Sequence, residues 1–167
     1  VSVLEQVGTA DKTGTTVRFK PDNQIFETLV FRFETIAHRL RELAFLNKGL
    51  EIRVFDEETG AKETYLFEGG VVEFVSFLNE GRNSLHPEPI YLEGNRNDVS
   101  VEVAMQYNDS YQESVFTYAN NIKTTEGGTH LVGFRAALTS TINSYAARND
   151  MLKNVKFAIA GEDTREG

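Results

Sequence analysis

Val99-Ser100-Val101-Glu102-Val103-Ala104-Met105-Gln106-Tyr107 (VSVEVAMQY) is the stretch from which the fold is read. Val99, Val101, Val103, Met105 and Tyr107 fall on one side, while Ser100, Glu102 and Gln106 fall on the other. Side chains of an extended chain alternate between faces, so this run predicts a half-buried strand of an antiparallel sheet. Asn108-Asp109-Ser110 follows as a turn, and Glu113 to Asn120 reads as the antiparallel partner.

A helical period flanks this strand on both sides. Phe33 to Phe45 gathers Ile36, Ala37, Leu40, Leu43 and Ala44 on one face, with Arg39, Arg41 and Glu42 largely off it. Asn47-Lys48-Gly49 stops that helix, Gly49 suiting a left-handed cap. Val71 to Asn79 repeats the pattern with Val71, Phe74, Val75 and Leu78. A third, longer helix is predicted from about Thr129 to Asn149, with Phe134, Leu138, Ile142 and Tyr145 as its stripe. Leu50–Phe55 and Glu63–Phe67 read as a hairpin, Pro87 and Pro89 limit regular structure until Ile90–Leu92, and Lys156–Ile159 reads as a last short strand. Residues 1–19 read as another hairpin: VSVLEQV and TTVRF are rich in strand formers, and Gly8 to Gly14 supply the turn. This order predicts an α+β fold with a mainly antiparallel sheet and helices packed on one face.

Composition narrows the function. The 167 residues are 40% hydrophobic, enough for a packed core, and carry a net charge of -8. A free-standing nucleic-acid binder is usually basic, because phosphate neutralisation drives its affinity. The chain has no cysteine, which excludes disulfides, thiolate metal sites and a cysteine nucleophile and agrees with a cytosolic home. No apolar run is long enough to span a membrane. Val1 opens without a methionine, and Gly161 to Gly167 (GEDTREG) is a polar finish, so the chain is expected to be a piece of a longer protein.

Candidate chemistry is sparse. Gly127-Gly128-Thr129-His130-Leu131-Val132-Gly133-Phe134-Arg135 brings two glycines to a helix start, an arrangement that can bind anions. Neither GxxxxGK[ST] nor GxGxxG is present there, so the simpler reading makes Gly127 and Gly128 hinges and Thr129 the helix N-cap. His38, His86 and His130 lack a second ligand at zinc spacing, and no GxSxG elbow supports a serine hydrolase. The acidic pairs Glu57/Glu58 and Glu162/Asp163 fall in turns, where charge is ordinarily solvated.

Taken together, GTTVRFKPD (14–22), RLRELAFLNKG (39–49), FEGGVVEFVSFLN (67–79), LHPEPIY (85–91), VEVAMQYNDSYQESVFTYANNI (101–122), EGGTHLVGFRAAL (126–138) and GEDTREG (161–167) resemble the B subunits of bacterial DNA gyrase. These are type IIA topoisomerases, and the E subunit of topoisomerase IV is the nearest alternative. The resemblance implies that residues 1–19 are the last hairpin of the GHKL-type ATPase domain. It implies that residues 20–167 are the transducer domain, a two-layer sandwich like ribosomal protein S5 domain 2. It further implies a function in coupling ATP binding and hydrolysis to DNA strand passage and negative supercoiling. A mechanical module of that kind is weighed against an independent DNA-binding module, which the cations near 135–156 favour and the net charge opposes.

By the same resemblance, Thr15 stands at the adenine end of the nucleotide site, and Arg135 faces the cavity for transported DNA, where a guanidinium meets backbone phosphate without reading sequence. The general-base glutamate, the Mg2+-binding asparagine and the ATP lid are expected upstream of Val1. The lysine of a Gln-Thr-Lys loop is expected beyond Gly167. The full-length protein would use ATP and Mg2+, dimerise through its ATPase region and act on DNA with gyrase A in an A2B2 heterotetramer in the cytoplasm. The piece in hand is expected to bind neither cofactor, to carry no catalytic residue and no metal, and to be catalytically inactive.

Overall fold

A computed structural model describes residue 3, residues 5–153 and residues 158–167. Its contacts divide the chain into two compact units, Val1–Arg32 and Phe33–Gly167.

In the first unit no strand forms among the described residues, contrary to the hairpin read at residues 1–19. A lone two-stranded ribbon is marginal in water without a third strand or a packed face, and Val7, Val17 and Phe19 are all exposed here. The ordered features are local. Asp22 Oδ1 accepts from the Gln24 amide at 2.8 Å, and Phe19 and Phe31 meet edge to face at 5.5 Å.

The second unit contains the order α1 (Phe33–Leu46), β1 (Ile52–Phe55), β2 (Lys62–Tyr65), α2 (Val71–Leu78), β3 (Ile90–Arg96), β4 (Val99–Met105), β5 (Tyr118–Ala119), β6 (Ile122–Lys123) and α3 (Gly128–Arg148), then a short 3-10 turn at Asp163–Arg165. Among the described residues it is an α+β arrangement of three helices and three antiparallel hairpins, β1–β2, β3–β4 and β5–β6. The core lies between α1, the β1–β2 hairpin and α2. Ala37, Ala44 and Tyr65 are buried there against Phe33, Leu40, Ile52, Val54 and Phe67. Phe45, 1% exposed, stacks on Phe67 at 3.5 Å and on Phe74 at 4.9 Å. Burying one such ring contributes about 2–3 kcal/mol.

Two readings of the strands change. β4 pairs with β3, which precedes it, in the register Ile90↔Met105 to Arg96↔Val99, and not with Glu113–Asn120. The link is Asn97-Asp98, whose φ values of 51° and 61° fit the two-residue turn that matches strand twist. Asn120-Asn121, at 49° and 64°, makes the same turn between β5 and β6, so residues 118–123 pair among themselves. The face begun by Val99 and Val101 is more than half exposed, and only its Val103–Met105 end is covered. Half of the strand expected at Lys156–Ile159 falls outside the described residues, and Ala158 and Ile159, which are described, are not in a strand.

Glu42, read as lying off the apolar face of α1, is 6% exposed. Arg39 and Lys123 neutralise it, at 2.7 Å and 4.0 Å. On α3, Phe134, Leu138 and Ile142 are half-buried as the stripe predicts, whereas Tyr145 is 63% exposed and Ala146 takes the buried place.

Candidate functional site

An open cleft of about 410 Å³ lies at the start of α3, lined in part by Glu113, Thr117, Lys123, Thr124, Gly127 and Arg135. Gly127 is the N-cap, at φ 86°, with no side-chain cap hydrogen bond. Only glycine holds that conformation at low cost, and a Cβ there would lie 2.7 Å from Leu131 Cδ2. Gly128, also left-handed at φ 68°, begins the helix. Thr129 therefore sits in the first turn and not at the cap, because the two glycines start the helix earlier than the sequence reading placed it. Backbone bonds Gly127 N–H to Thr124 C=O and Thr124 N–H to Thr117 C=O tie the helix start to the β5–β6 hairpin.

Arg135 projects from the second turn of α3. Its Nε and Nη2 both donate to Glu113 Oε1, at 3.0 Å and 2.8 Å. Arg165 Nε lies 3.0 Å from the same oxygen, close enough for an ion pair, although its N–H makes no hydrogen bond. Side-chain exposure falls from Arg135 at 39% through Glu113 at 28% to Arg165 at 16%. One carboxylate thus stands between an outward and an inward guanidinium, and the three groups together carry one surplus positive charge. Sequence reasoning singled out Arg135 but neither Glu113 nor Arg165. They stand 22 residues before it and further along the chain beyond α3, and only folding brings them together.

The segment carrying Arg165 is fixed to α3. Asn143 donates to the Ile159 carbonyl and accepts from the Ile159 amide, both at 2.9 Å. Thr139 Oγ1 lies 3.3 Å from Thr164 Oγ1, and the Tyr107 hydroxyl donates to the Thr164 carbonyl at 2.8 Å. Burial raises the Tyr107 phenol above its ordinary pKa, so it stays a donor at neutral pH.

A second, smaller cleft of about 80 Å³ is lined by His38, Arg41, Glu42, Phe45, Phe74, Phe77, Leu78 and Phe116. Arg41 covers the Tyr65 and Phe77 rings at 5.3 Å and 5.5 Å, and the Glu42 carboxylate is already paired, so this cleft presents aromatic surface more than reactive groups.

Thr15 lies exposed in the first unit. No loop of phosphate-gripping pattern accompanies it in the sequence, and the described residues hold no group of three or more His, Asp or Glu side chains arranged for a metal ion. No helix among the described residues is long and apolar enough to cross a membrane.

Comparison with known proteins identifies a family. Residues 70–167 match the family described as DNA gyrase B. The chain is 50% identical to the DNA gyrase B protein of Staphylococcus aureus, over 98% of its own length and 26% of that protein. It thus spans about a quarter of the length of the curated relatives it matches. Among solved structures, the 43K ATPase domain of Thermus thermophilus gyrase B, in complex with an aminocoumarin, is 38% identical with a TM-score of 0.76, covering 89% of this chain and 41% of that one. The B-subunit of DNA gyrase from Myxococcus xanthus is 30% identical with a TM-score of 0.71, covering 76% and 36%.

Proposed function

The chain belongs to the DNA gyrase B family, and from that premise we propose that it is the transducer part of the B subunit of an ATP-dependent type II topoisomerase. In this reading residues 20–167 form the transducer, a sandwich like ribosomal protein S5 domain 2, and residues 1–19 belong to the ATPase domain that precedes it. The full-length protein works in the cytoplasm with gyrase A in an A2B2 assembly, dimerises through its ATPase region and couples ATP, with Mg2+, to strand passage and negative supercoiling. Thr15 contributes at the adenine end of the nucleotide site, which the described residues do not complete.

The observation that carries the reading is Arg135. It stands half-exposed at the wall of the open cleft, on a helix start fixed by Gly127 and Gly128, inside the part of the chain that matches the family. Glu113 takes the Nε side of its guanidinium, and the described hydrogen bonds leave its Nη1 donors to meet a backbone phosphate. A net charge of -8 favours a DNA contact made only within the assembled enzyme, since long-range repulsion acts on the chain alone.

Arg135→Gln in the full-length protein, assembled with gyrase A, tests this. DNA stimulation of ATP hydrolysis is expected to fall several-fold while DNA-independent hydrolysis is kept. Undiminished stimulation by DNA would overturn the assignment of Arg135.

A further inference from the structure

The cation at the cleft wall does not act alone. A carboxylate that met only Arg135 would cancel its charge toward an incoming anion. Here Glu113 Oε1 is shared with Arg165, and the cluster keeps one positive charge in surplus. Arg165 is the more enclosed cation, 16% exposed against 39% for Arg135, so the outward group is the one placed to present that surplus. Its place is built in. Gly161 leaves room for it, since a Cβ there would lie 3.1 Å from Arg165 Nη1, and Thr164 beside it is buried and bonded to α3 and Tyr107.

We infer that Arg165 is a positioning residue for Arg135, acting through Glu113. By drawing on the carboxylate, it leaves Arg135 held side-on yet still net attractive to phosphate. The inference rests on the reading that Arg135 meets backbone phosphate and adds the group that tunes it.

Charge arithmetic gives the test. Removing Arg165 brings the cluster to zero, and removing Glu113 as well restores one positive charge on Arg135 alone. The full-length protein with gyrase A would be titrated with linear duplex DNA across a series of salt concentrations. In Arg165→Gln, the slope of log affinity against log salt is expected to become shallower by about one unit, with DNA-stimulated ATPase reduced about fivefold or more. The double variant Arg165→Gln/Glu113→Gln is expected to recover both.

A purely structural role for Arg165 predicts no recovery, and that result would overturn the inference, as would an Arg165→Gln protein with unchanged slope. If Arg165→Gln fails to fold, Glu113→Gln alone decides. A steeper slope supports the inference and an unchanged one overturns it. Loss of the Arg165 effect together with an inert Arg135→Gln would locate the failure in the phosphate reading. An inert Arg165→Gln beside a damaging Arg135→Gln would locate it here.

Discussion

Arg39 ties two distant parts of the chain through one guanidinium. Its Nη1 donates to the buried Glu42 carboxylate at 2.7 Å and its Nη2 to the Asn121 carbonyl at 2.8 Å. Removing one partner of a buried pair strands the other, which costs about 3–5 kcal/mol when both are enclosed. Arg39 is 39% exposed, so water screens part of this. Arg39→Ala is expected to lower stability by about 2 kcal/mol, and Arg39→Ala/Glu42→Gln by less than the single change. Urea denaturation of the three proteins checks both statements.

Tyr118 offers a pH-dependent counterpart. Burial, aided by the Glu42 charge, pushes its phenol up to about 12, against about 10 in an unfolded chain. The unfolded chain releases this proton first as pH rises, so the contribution to stability is whole below pH 10 and is lost between about 10 and 12. The hydroxyl is buried and makes no well-formed hydrogen bond among the described residues, the nearby Glu42 carboxylate acting on it only as a weak acceptor. Tyr118→Phe is therefore expected to be neutral or stabilising by up to about 1 kcal/mol at pH 7 and to flatten the alkaline loss. Tyr91 and Tyr107 shift in the same direction, so the loss shrinks without vanishing. Thermal melts from pH 8 to 12 report it.

The start of α3 distinguishes a glycine cap from a threonine cap. Gly127→Ala places a methyl 2.7 Å from Leu131 Cδ2 on a left-handed backbone and is expected to cost about 1–2 kcal/mol. Thr129→Ala removes no cap hydrogen bond and is expected to cost under about 0.5 kcal/mol. A loss near 1 kcal/mol at Thr129, the usual penalty for an N-cap, would contradict the geometry.

His86 is held by both ring nitrogens. Nε2 accepts from the Tyr107 amide at 3.0 Å, so Nδ1 carries the proton and donates to the Glu88 carbonyl at 2.7 Å. His86→Ala strands the half-buried Tyr107 amide and is expected to cost about 1–2 kcal/mol. Faster hydrogen exchange at Tyr107 locates the effect.

All three helices were legible because their apolar residues recur at helical spacing over two or more turns. The partner of β4 was not, because LEGNR within β3 does not alternate and the turn depends on two left-handed residues, Asn97 and Asp98. Glu42 reads as surface in any sequence, and only Arg39 and Lys123 make its burial tolerable. The strands read at residues 1–19 failed for the converse reason: strand-forming composition does not supply a partner sheet. At the cleft, Arg135 was reached by family resemblance, whereas Glu113 and Arg165 stand in unremarkable polar strings whose meeting is a property of tertiary structure alone.

The double clasp of Asn143 on Ile159 has a mechanical consequence. Thr139 caps back onto the Arg135 carbonyl at 2.9 Å, Asn143 onto the Thr139 carbonyl at 3.0 Å, and the same two side chains grip the segment that bears Arg165. Helix and segment are thereby splined together like a shaft and its key. A rotation of α3 therefore carries the segment that bears Arg165 with it, and the inner and outer guanidiniums turn together.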